Sequence, residues 1–402
     1  MHQVVQQPRL LISRSALLHN VSVMRARLRP GVKVCAMIKA DAYGHGAFIV
    51  ADALTNFSGP KGEEPPIVDA LGVATIDEAA ALPQSPVPIL IFQPVENALI
   101  SPQRERIEYA IENDLHLMLA SKSAADDVAR IAERMNRRAA IQVMVDTGMA
   151  RSGVGVERAL ELLQQVSQWP ALRLMGVCTH MAAADMPGDM IGEEQLAHFD
   201  HVTGDLSGKI PRHAANSAAI FFMPQAQYDM VRPGISLYGM DPTDQPAMDR
   251  PLRPVAKFVA PLVGIRDIPK GTGVGYSHTW HAPRDSRIGL VPVGYADGYP
   301  RLLSNRGSMI VQNQRAPVIG RISMDLTTID LSDIPQANIG DEVTVMDNDP
   351  LSPAGAYAIA HHAETITYEV LCRIGPRVRR VGVDPVDTFD DPPVDPPYRR
   401  RK

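Results

Sequence analysis

Eight short aliphatic runs, each followed by a stretch with helical spacing, divide the first 240 residues, and no other feature narrows the fold as far. The runs are VKVCAMIK (32–39), ALGVAT (70–75), VPILIF (87–92), LHLMLA (115–120), AAIQVMVD (139–146), LRLMGVCTH (172–180), RHAAN (212–216) and YDMVRPG (228–234). Segments such as SAADDVARIAERMN and VERALELLQQVSQW lie between them, with apolar residues at helical intervals. Strands apolar on both faces that alternate with amphipathic helices are what βα units around a parallel sheet require. Eight such units predict a closed (β/α)8 barrel, with its active site at the strand C-termini. An open doubly wound sheet is the alternative, but no GxGxxG motif opens the first helix.

Beyond about residue 245 the pattern becomes short alternating runs punctuated by Gly and Pro: FVAPLVGIRDI, SRIGLVPVGY, SMIVQNQRAPVIGR and DEVTVMD. Period-two alternation between turn residues predicts a second, antiparallel, mostly β domain. The expected division is therefore a barrel over 9–245, a β domain over 246–388 and a proline-rich, charged tail over 389–402. NFSGPKGEEPPIVD (56–69) reads as a surface loop.

A formal net charge of −5 provides no basic field for nucleic acid or an anionic membrane, so a small polar metabolite is the expected partner. The amino-terminal residues lack a signal-like apolar core, and no run approaches a membrane span. The three cysteines, Cys35, Cys178 and Cys372, form no CxxC pair, which argues against a disulfide framework or thiolate metal site and fits a reducing, cytoplasmic setting. His361, His362 and Glu364 are the only metal-like grouping. Adjacent helical histidines point to different faces, so no metal site is expected. Aromatic residues make up only 5% of the chain and ten of them are tyrosines, so polar work for some tyrosines is expected.

Chemistry concentrates in CAMIKADAYGHG, residues 35–46, where a buried strand ends in a lysine followed by a polar turn with two glycines. Lysine is rarely buried unpaired, so Lys39 requires a reason. One reason is an imine to a carbonyl cofactor, which removes the charge; the other is a side chain that snorkels to solvent at the barrel mouth.

At this segment the chain resembles the alanine racemase family of pyridoxal phosphate enzymes. KADAYGHG is similar to that family's cofactor-lysine signature. The resemblance recurs in order through DTGMARSGV (146–154), THMAAAD (179–185), HAANSAA (213–219), VRPGISLYG (231–239), VGYSHTW (274–280), VGYADGYPR (293–301), GRISMD (320–325) and ITYEVLCRIGPRV (366–378). It implies a pyridoxal phosphate barrel joined to a β domain, and an enzyme that interconverts L- and D-alanine, supplying D-alanine for the cell wall.

By this resemblance Lys39 holds the cofactor, and Tyr43, Asn216, Ser217, Gly234 and Ile235 cradle its phosphate, in a region where barrels place phosphate sites. Taken alone, Asn216 and Ser217 read as an ordinary helix N-cap. Arg232 resembles the partner of the pyridine nitrogen. Arginine is not deprotonated in proteins, so it donates a hydrogen bond but not readily a proton, which leaves the ring a weaker electron sink and favours racemisation over transamination. Racemisation needs an acid/base group on each face of Cα. Lys39 serves one face and Tyr276 matches the residue for the other, with His180 resembling the histidine that contacts this tyrosine. Arg151 resembles the substrate-carboxylate arginine and Met324 a substrate-contacting residue, while Tyr295 and Asp325 match positions at the entrance. In the family the lysine and the catalytic tyrosine meet across a subunit boundary, implying a head-to-tail homodimer.

Two positions depart from the family pattern. Met144 stands where many members carry a carbamylated lysine that orients the arginine equivalent to Arg151. Gly382 stands where the continuation RVPR-x-Tyr would place a tyrosine, so a hydroxyl contact to the phosphate is expected to be missing and the space it leaves to loosen the pocket; both departures bear on whether alanine is the sole substrate. A broader amino acid racemase is thus one alternative. A decarboxylase of the same fold and a non-catalytic pyridoxal phosphate-binding protein are the others. Arg232 in place of a carboxylate speaks against the former, and the large second domain against the latter.

Overall fold

The structure, a computed structural model, describes residues 7–56, 65–186, 188–247 and 249–383. Most of the expected loop (57–64) and the whole expected tail lie outside these residues.

Eight parallel strands form the barrel: Lys33–Met37, Ala70–Val73, Ile89–Pro94, His116–Leu119, Ala139–Asp146, Leu172–Cys178, Arg212–His213 and Met230–Val231. The last pairs with the first, Met230 opposite Lys33 and Val231 opposite Val34, which excludes the open sheet. The seventh and eighth strands are joined less regularly: the Asp229 and Arg232 amides donate to Arg212 O and Ala215 O at 3.0 and 2.8 Å. These two strands are only two residues long, so most of their length in sequence becomes loop at the barrel mouth.

Helices begin where a side chain can satisfy their open amides. Ser13 Oγ accepts from Ala16 N, Ser121 Oγ from Ala124 N, and Thr75 and Glu78 form a reciprocal capping box. Buried faces such as Val128, Ala129, Ile131 and Ala132 of helix Lys122–Arg134 then cover the strands.

The second domain is built on a six-stranded sheet ordered Gln314–Pro317, Ser308–Val311, Glu342–Met346, Ala256–Pro261, Arg9–Ser13, Arg379–Val383. A three-stranded antiparallel sheet, Gly264–Ile268, Ser286–Val291 and Thr327–Asp330, completes it. Its pairing is antiparallel as expected except at one place. Arg9–Ser13, at the start of the segment read as barrel, inserts between Ala256–Pro261 and Arg379–Val383, antiparallel to the former and parallel to the latter. The chain thus begins in one domain, builds the other and returns.

Leu10 is fully buried on that inserted strand. Leu10→Ala is expected to remove about 2–5 kcal/mol of stability, read as a fall of several degrees in Tm. An unchanged Tm would mean that the strand contributes no more than an edge.

Candidate active site

Lys39 stands at the C-terminal mouth of the barrel, just past strand Lys33–Met37, and starts an unusual turn. Ala40, Asp41, Ala42 and Tyr43 all have φ between 52 and 54°, a single left-handed helical turn spanning Lys39–Tyr43. Each non-glycine residue in this region costs roughly 1–2 kcal/mol, so surrounding contacts must impose it. They are present. Glu78 Oε1 accepts from Ala40 N at 2.8 Å, Asp41 Oδ1 from Ala47 N at 2.7 Å, and the buried His45 donates through Nδ1 toward the carbonyls of Ala42 and Tyr43 at 3.0 Å. From the second domain, Arg380 Nε donates to Gly44 O at 3.0 Å.

Lys39 itself is half-buried and has no ion pair among the described residues. Burial, then the Arg151 and Arg232 guanidiniums, hold its ammonium below the ordinary 10.5. The reading as a lysine snorkelling into open solvent therefore does not describe it.

Arg232 is 4% exposed and faces no carboxylate, so it is not the anchoring salt bridge that a loop arginine could have been. Its acceptors are neutral: Nη1 donates to His213 O (2.8 Å) and His213 Nδ1 (2.9 Å), Nη2 to Thr179 O (2.7 Å), Ala214 O (3.1 Å) and His180 Nδ1 (3.5 Å). Its Nε–H has no acceptor among the described residues. Burial followed by the nearby cations pushes His180 down to about 3, so it is a neutral imidazole. Because His180 Nδ1 accepts from arginine, Nε2 carries the proton and is a donor.

The turns after the seventh and eighth strands meet Tyr43. Asn216 Oδ1 accepts from Ala219 N at 3.0 Å, so the N-cap reading describes Asn216. Ser217 Oγ accepts from Gly234 N (2.9 Å) and Ser236 N (3.3 Å), which leaves its own proton to donate elsewhere. Ser236 Oγ is buried without a partner. A Cβ at Gly234 would lie 2.3 Å from the Tyr43 hydroxyl, so only glycine lets the phenol reach this turn. Three hydroxyls with protons to donate thus converge beside Ile235, a donor set suited to a phosphate.

Arg151 stands near Lys39 and His180, but other expected residues are not brought to them. Arg151 is exposed, with no hydrogen bond or ion pair among the described residues, and Met144 offers it no acceptor. Tyr276, Met324 and Tyr295 are 67%, 52% and 43% exposed on the second domain. Their segments pack together: Tyr295 N and Ala296 N donate to Ser323 O and Met324 O, and Gly275 lies against Arg321. Asp325 is held there by Arg377, which also binds the buried Asp297. Tyr276 is not among the groups that face Lys39 or His180.

The expectation at Gly382 needs correcting. Gly382 lies on the six-stranded sheet opposite Ile12, and the space above it is bounded by Ile49, in a cavity lined by Leu17, Phe48 and Ala53. It leaves no gap beside Tyr43. The tyrosine that stands there is Tyr368, on helix Thr367–Cys372, with ring centroids 6.3 Å apart. Its sequence signal is the tyrosine of ITYEVLC (366–372), a block that resembles the family. Burial raises Tyr368 to about 12, so it is a neutral phenol. Of the metal-like grouping, Glu364 is engaged by Arg306 at 2.9 Å.

The family model described as alanine racemase, N-terminal domain, matches residues 12–242, and that of the C-terminal domain matches 255–382. The chain belongs to the alanine racemase family. It is 37% identical over 382 residues to an alanine racemase of Desulfovibrio desulfuricans, covering 93% of this chain and 97% of the relative. It is 38% identical over 377 residues to that of Chlorobaculum tepidum, covering 93% and 94%. Among solved structures, the alanine racemase of Clostridium difficile superposes with a TM-score of 0.85 at 30% identity, covering 95% of this chain and 97% of that one. An alanine racemase from Bartonella henselae, described with covalently bound pyridoxal phosphate, superposes at 0.80 with 27% identity, covering 94% and 100%.

The Arg151 charge has a measurable consequence for this racemase-family lysine. Arg151→Gln removes a cation that disfavours the Lys39 ammonium, so the pKa of Lys39 rises. The pH midpoint for addition of an aldehyde probe to Lys39, localised by mass spectrometry, should move up. A midpoint that stays in place or falls would show that burial alone sets the amine.

Proposed function

We propose that this protein interconverts L- and D-alanine with pyridoxal phosphate held on Lys39, and that it does so as a homodimer. The observation that carries the reading is the charge arrangement at the barrel mouth. Three cationic side chains, Lys39, Arg151 and Arg232, stand at the mouth against a single nearby carboxylate, Glu78, whose oxygens are taken up by the Ala40, Ala74 and Thr75 amides, and among the described residues the Tyr43, Ser217 and Ser236 hydroxyls have no acceptor. Cations and donors are in excess there, and a phosphate-bearing aldehyde together with an amino acid carboxylate would match them.

Tyr43, Ser217 and Ser236 would hold the phosphate at the turn beginning Gly234-Ile235. Arg232, through its unpartnered Nε–H, would donate to the ring nitrogen. When bound, pyridoxal phosphate supplies an electron sink that acidifies the α-proton of an amino acid. Arg151 binds the substrate carboxylate. Lys39, whose ammonium is disfavoured by burial, takes or returns the proton on one face of Cα. Tyr276 serves the opposite face, and the His180 Nε2–H stabilises its phenolate oxygen. Arg232 would donate a hydrogen bond but not readily a proton to a bound ring, and so would favour return of the proton to Cα.

Tyr276 reaches this site only from a second copy. Tyr276, Tyr295 and Met324 are three large side chains left exposed on adjoining segments, as a face that covers a partner's barrel mouth would be. Alanine is the expected substrate, with the pocket narrowed by Tyr295 and Met324 at the entrance. D-Alanine for the cell wall is the expected product in use, and three unpaired cysteines fit a cytoplasmic setting.

Purified protein should convert either alanine enantiomer to the racemate without releasing carbon dioxide, and Lys39→Ala should lose both turnover and cofactor absorbance. Gas release would indicate a decarboxylase. A bound cofactor with no turnover on a panel of amino acids would indicate a binding protein.

Mixing tests the shared site. Lys39→Ala and Tyr276→Phe, each inactive alone, should regain about a quarter of wild-type activity when subunits exchange at random. Half the dimers are then mixed, and each mixed dimer holds one intact site of two. No recovery, with exchange verified by mass, would place both residues in one subunit's site.

A further inference from the structure

Barrel interiors are ordinarily filled by branched aliphatic side chains. Here a buried polar relay runs through the interior from Arg232. His213 Nε2 lies 3.2 Å from Gln142 Oε1, and Gln142 Nε2 lies 3.1 Å from His116 Nδ1. Every member is nearly or wholly buried: His213 0%, Gln142 3% and His116 6% exposed.

The direction of each bond follows from the arginine. A guanidinium only donates, so His213 Nδ1 must accept from it and Nε2 must carry the proton. His213 Nε2–H then donates to the amide oxygen of Gln142, which turns the amide nitrogen toward His116 and makes His116 Nδ1 an acceptor. Burial and the Arg232 charge hold His213 far below its ordinary 6.5, and burial pushes His116 down to about 4, so both are neutral, as this polarity demands.

The backbone is arranged to let Gln142 reach. Its strand, Ala139–Asp146, is separated from Arg212–His213 by Leu172–Cys178, and the residue opposite Gln142 on that intervening strand is Gly176. A Cβ at Gly176 would sit 2.2 Å from Gln142 Oε1. The missing side chain is the opening through which the amide crosses to His213. His116 and Gln142 also line a cavity of about 410 Å³ with Lys33 and Lys209 at the N-terminal end of the barrel, where the relay ends.

We propose that Gln142 is a positioning residue for the reaction: it locks His213 in the Nε2–H tautomer, so that Arg232 meets only lone pairs and its guanidinium is fixed as the donor to the cofactor ring, with His116 holding the amide in that orientation. Without Gln142, His213 can take the Nδ1–H tautomer, which turns a donor toward the arginine and costs Arg232 one of its five acceptor contacts.

This assignment rests on the pyridoxal phosphate racemase reading for its effect on turnover, but not for the relay itself. The relay is read first in cofactor-free full-length protein by 15N NMR of labelled histidines. His213 and His116 should each show a protonated Nε2 and a bare Nδ1 near neutral pH. His213 found with a protonated Nδ1, or as a mixture of tautomers, overturns the proposal whatever the enzyme catalyses.

Gln142→Leu, which keeps the volume and removes the amide, should give a mixed or inverted His213 tautomer. It should weaken pyridoxal phosphate binding about tenfold and lower kcat about tenfold with KM for alanine nearly unchanged. It should also raise the share of turnovers lost to transamination. Gly176→Ala should reproduce these effects by pushing the amide aside. If Gln142→Leu fails to fold, Gly176→Ala and the wild-type spectrum decide. A Gln142→Leu protein with wild-type tautomer, cofactor affinity and kcat within twofold would overturn the assignment. Absence of racemisation in the wild-type protein would defeat the functional reading and leave the tautomer result standing on its own.

Discussion

A positive charge buried without a negative one organises this molecule. Arg232 is removed from water at the barrel mouth and is stabilised only by dipoles: the carbonyls of Thr179, His213 and Ala214, and the lone pairs of two neutral imidazoles. Burying a guanidinium in this way is tolerable only if each acceptor is held in place. That requirement ties the ends of the sixth, seventh and eighth strands together where the sheet hydrogen bonding is thinnest. It also sets the protonation of its neighbours, since an imidazole that accepts from arginine cannot itself be cationic. A fixed donor with no carboxylate behind it is what a cofactor ring needs if it is to stay unprotonated.

The two domains divide the work along the chain in a way that linear order conceals. The first strand and the last described strand lie side by side in the second domain. From there Arg380 and Tyr368 reach onto the left-handed turn that carries Lys39. The strain in that turn is thus supported from both sides, by Glu78 and Asp41 in the barrel and by Arg380 in the β domain. The same β domain turns Tyr276, Tyr295 and Met324 away from its own barrel and toward solvent. One domain therefore braces its own barrel site with one surface and leaves three large side chains exposed on another.

Much of the site was legible because its chemistry constrains residue type locally. A lysine that ends an aliphatic strand can be recognised in a short window, and the blocks that hold Gly234 and Arg232 by their resemblance to the family. The place of Tyr368 is not legible in this way, because its neighbours in the chain say nothing of Tyr43, more than 300 residues away, and those of Gly382 do not show that it stands apart from Tyr43. Strand pairing shows why: Gly382 is two residues past Arg380, and that displacement carries it along the sheet to Ile12 and Ile49. The insertion of Arg9–Ser13 into the second sheet escaped notice for a related reason. Its apolar alternation identifies a strand but not its partner.

The sequence by itself determined the eight βα units and the second β domain, since periodicity depends on near neighbours, and resemblance in short blocks singled out Lys39, Arg232 and the turns after the seventh and eighth strands. Tertiary structure alone decided which tyrosine stands beside Tyr43, the left-handed path after Lys39, and the relay from Arg232 through His213 and Gln142 to His116. These depend on side chains from distant strands meeting in a buried space. There, the absence of one Cβ at Gly176 and the one-way donation of a guanidinium settle what every neighbour must do.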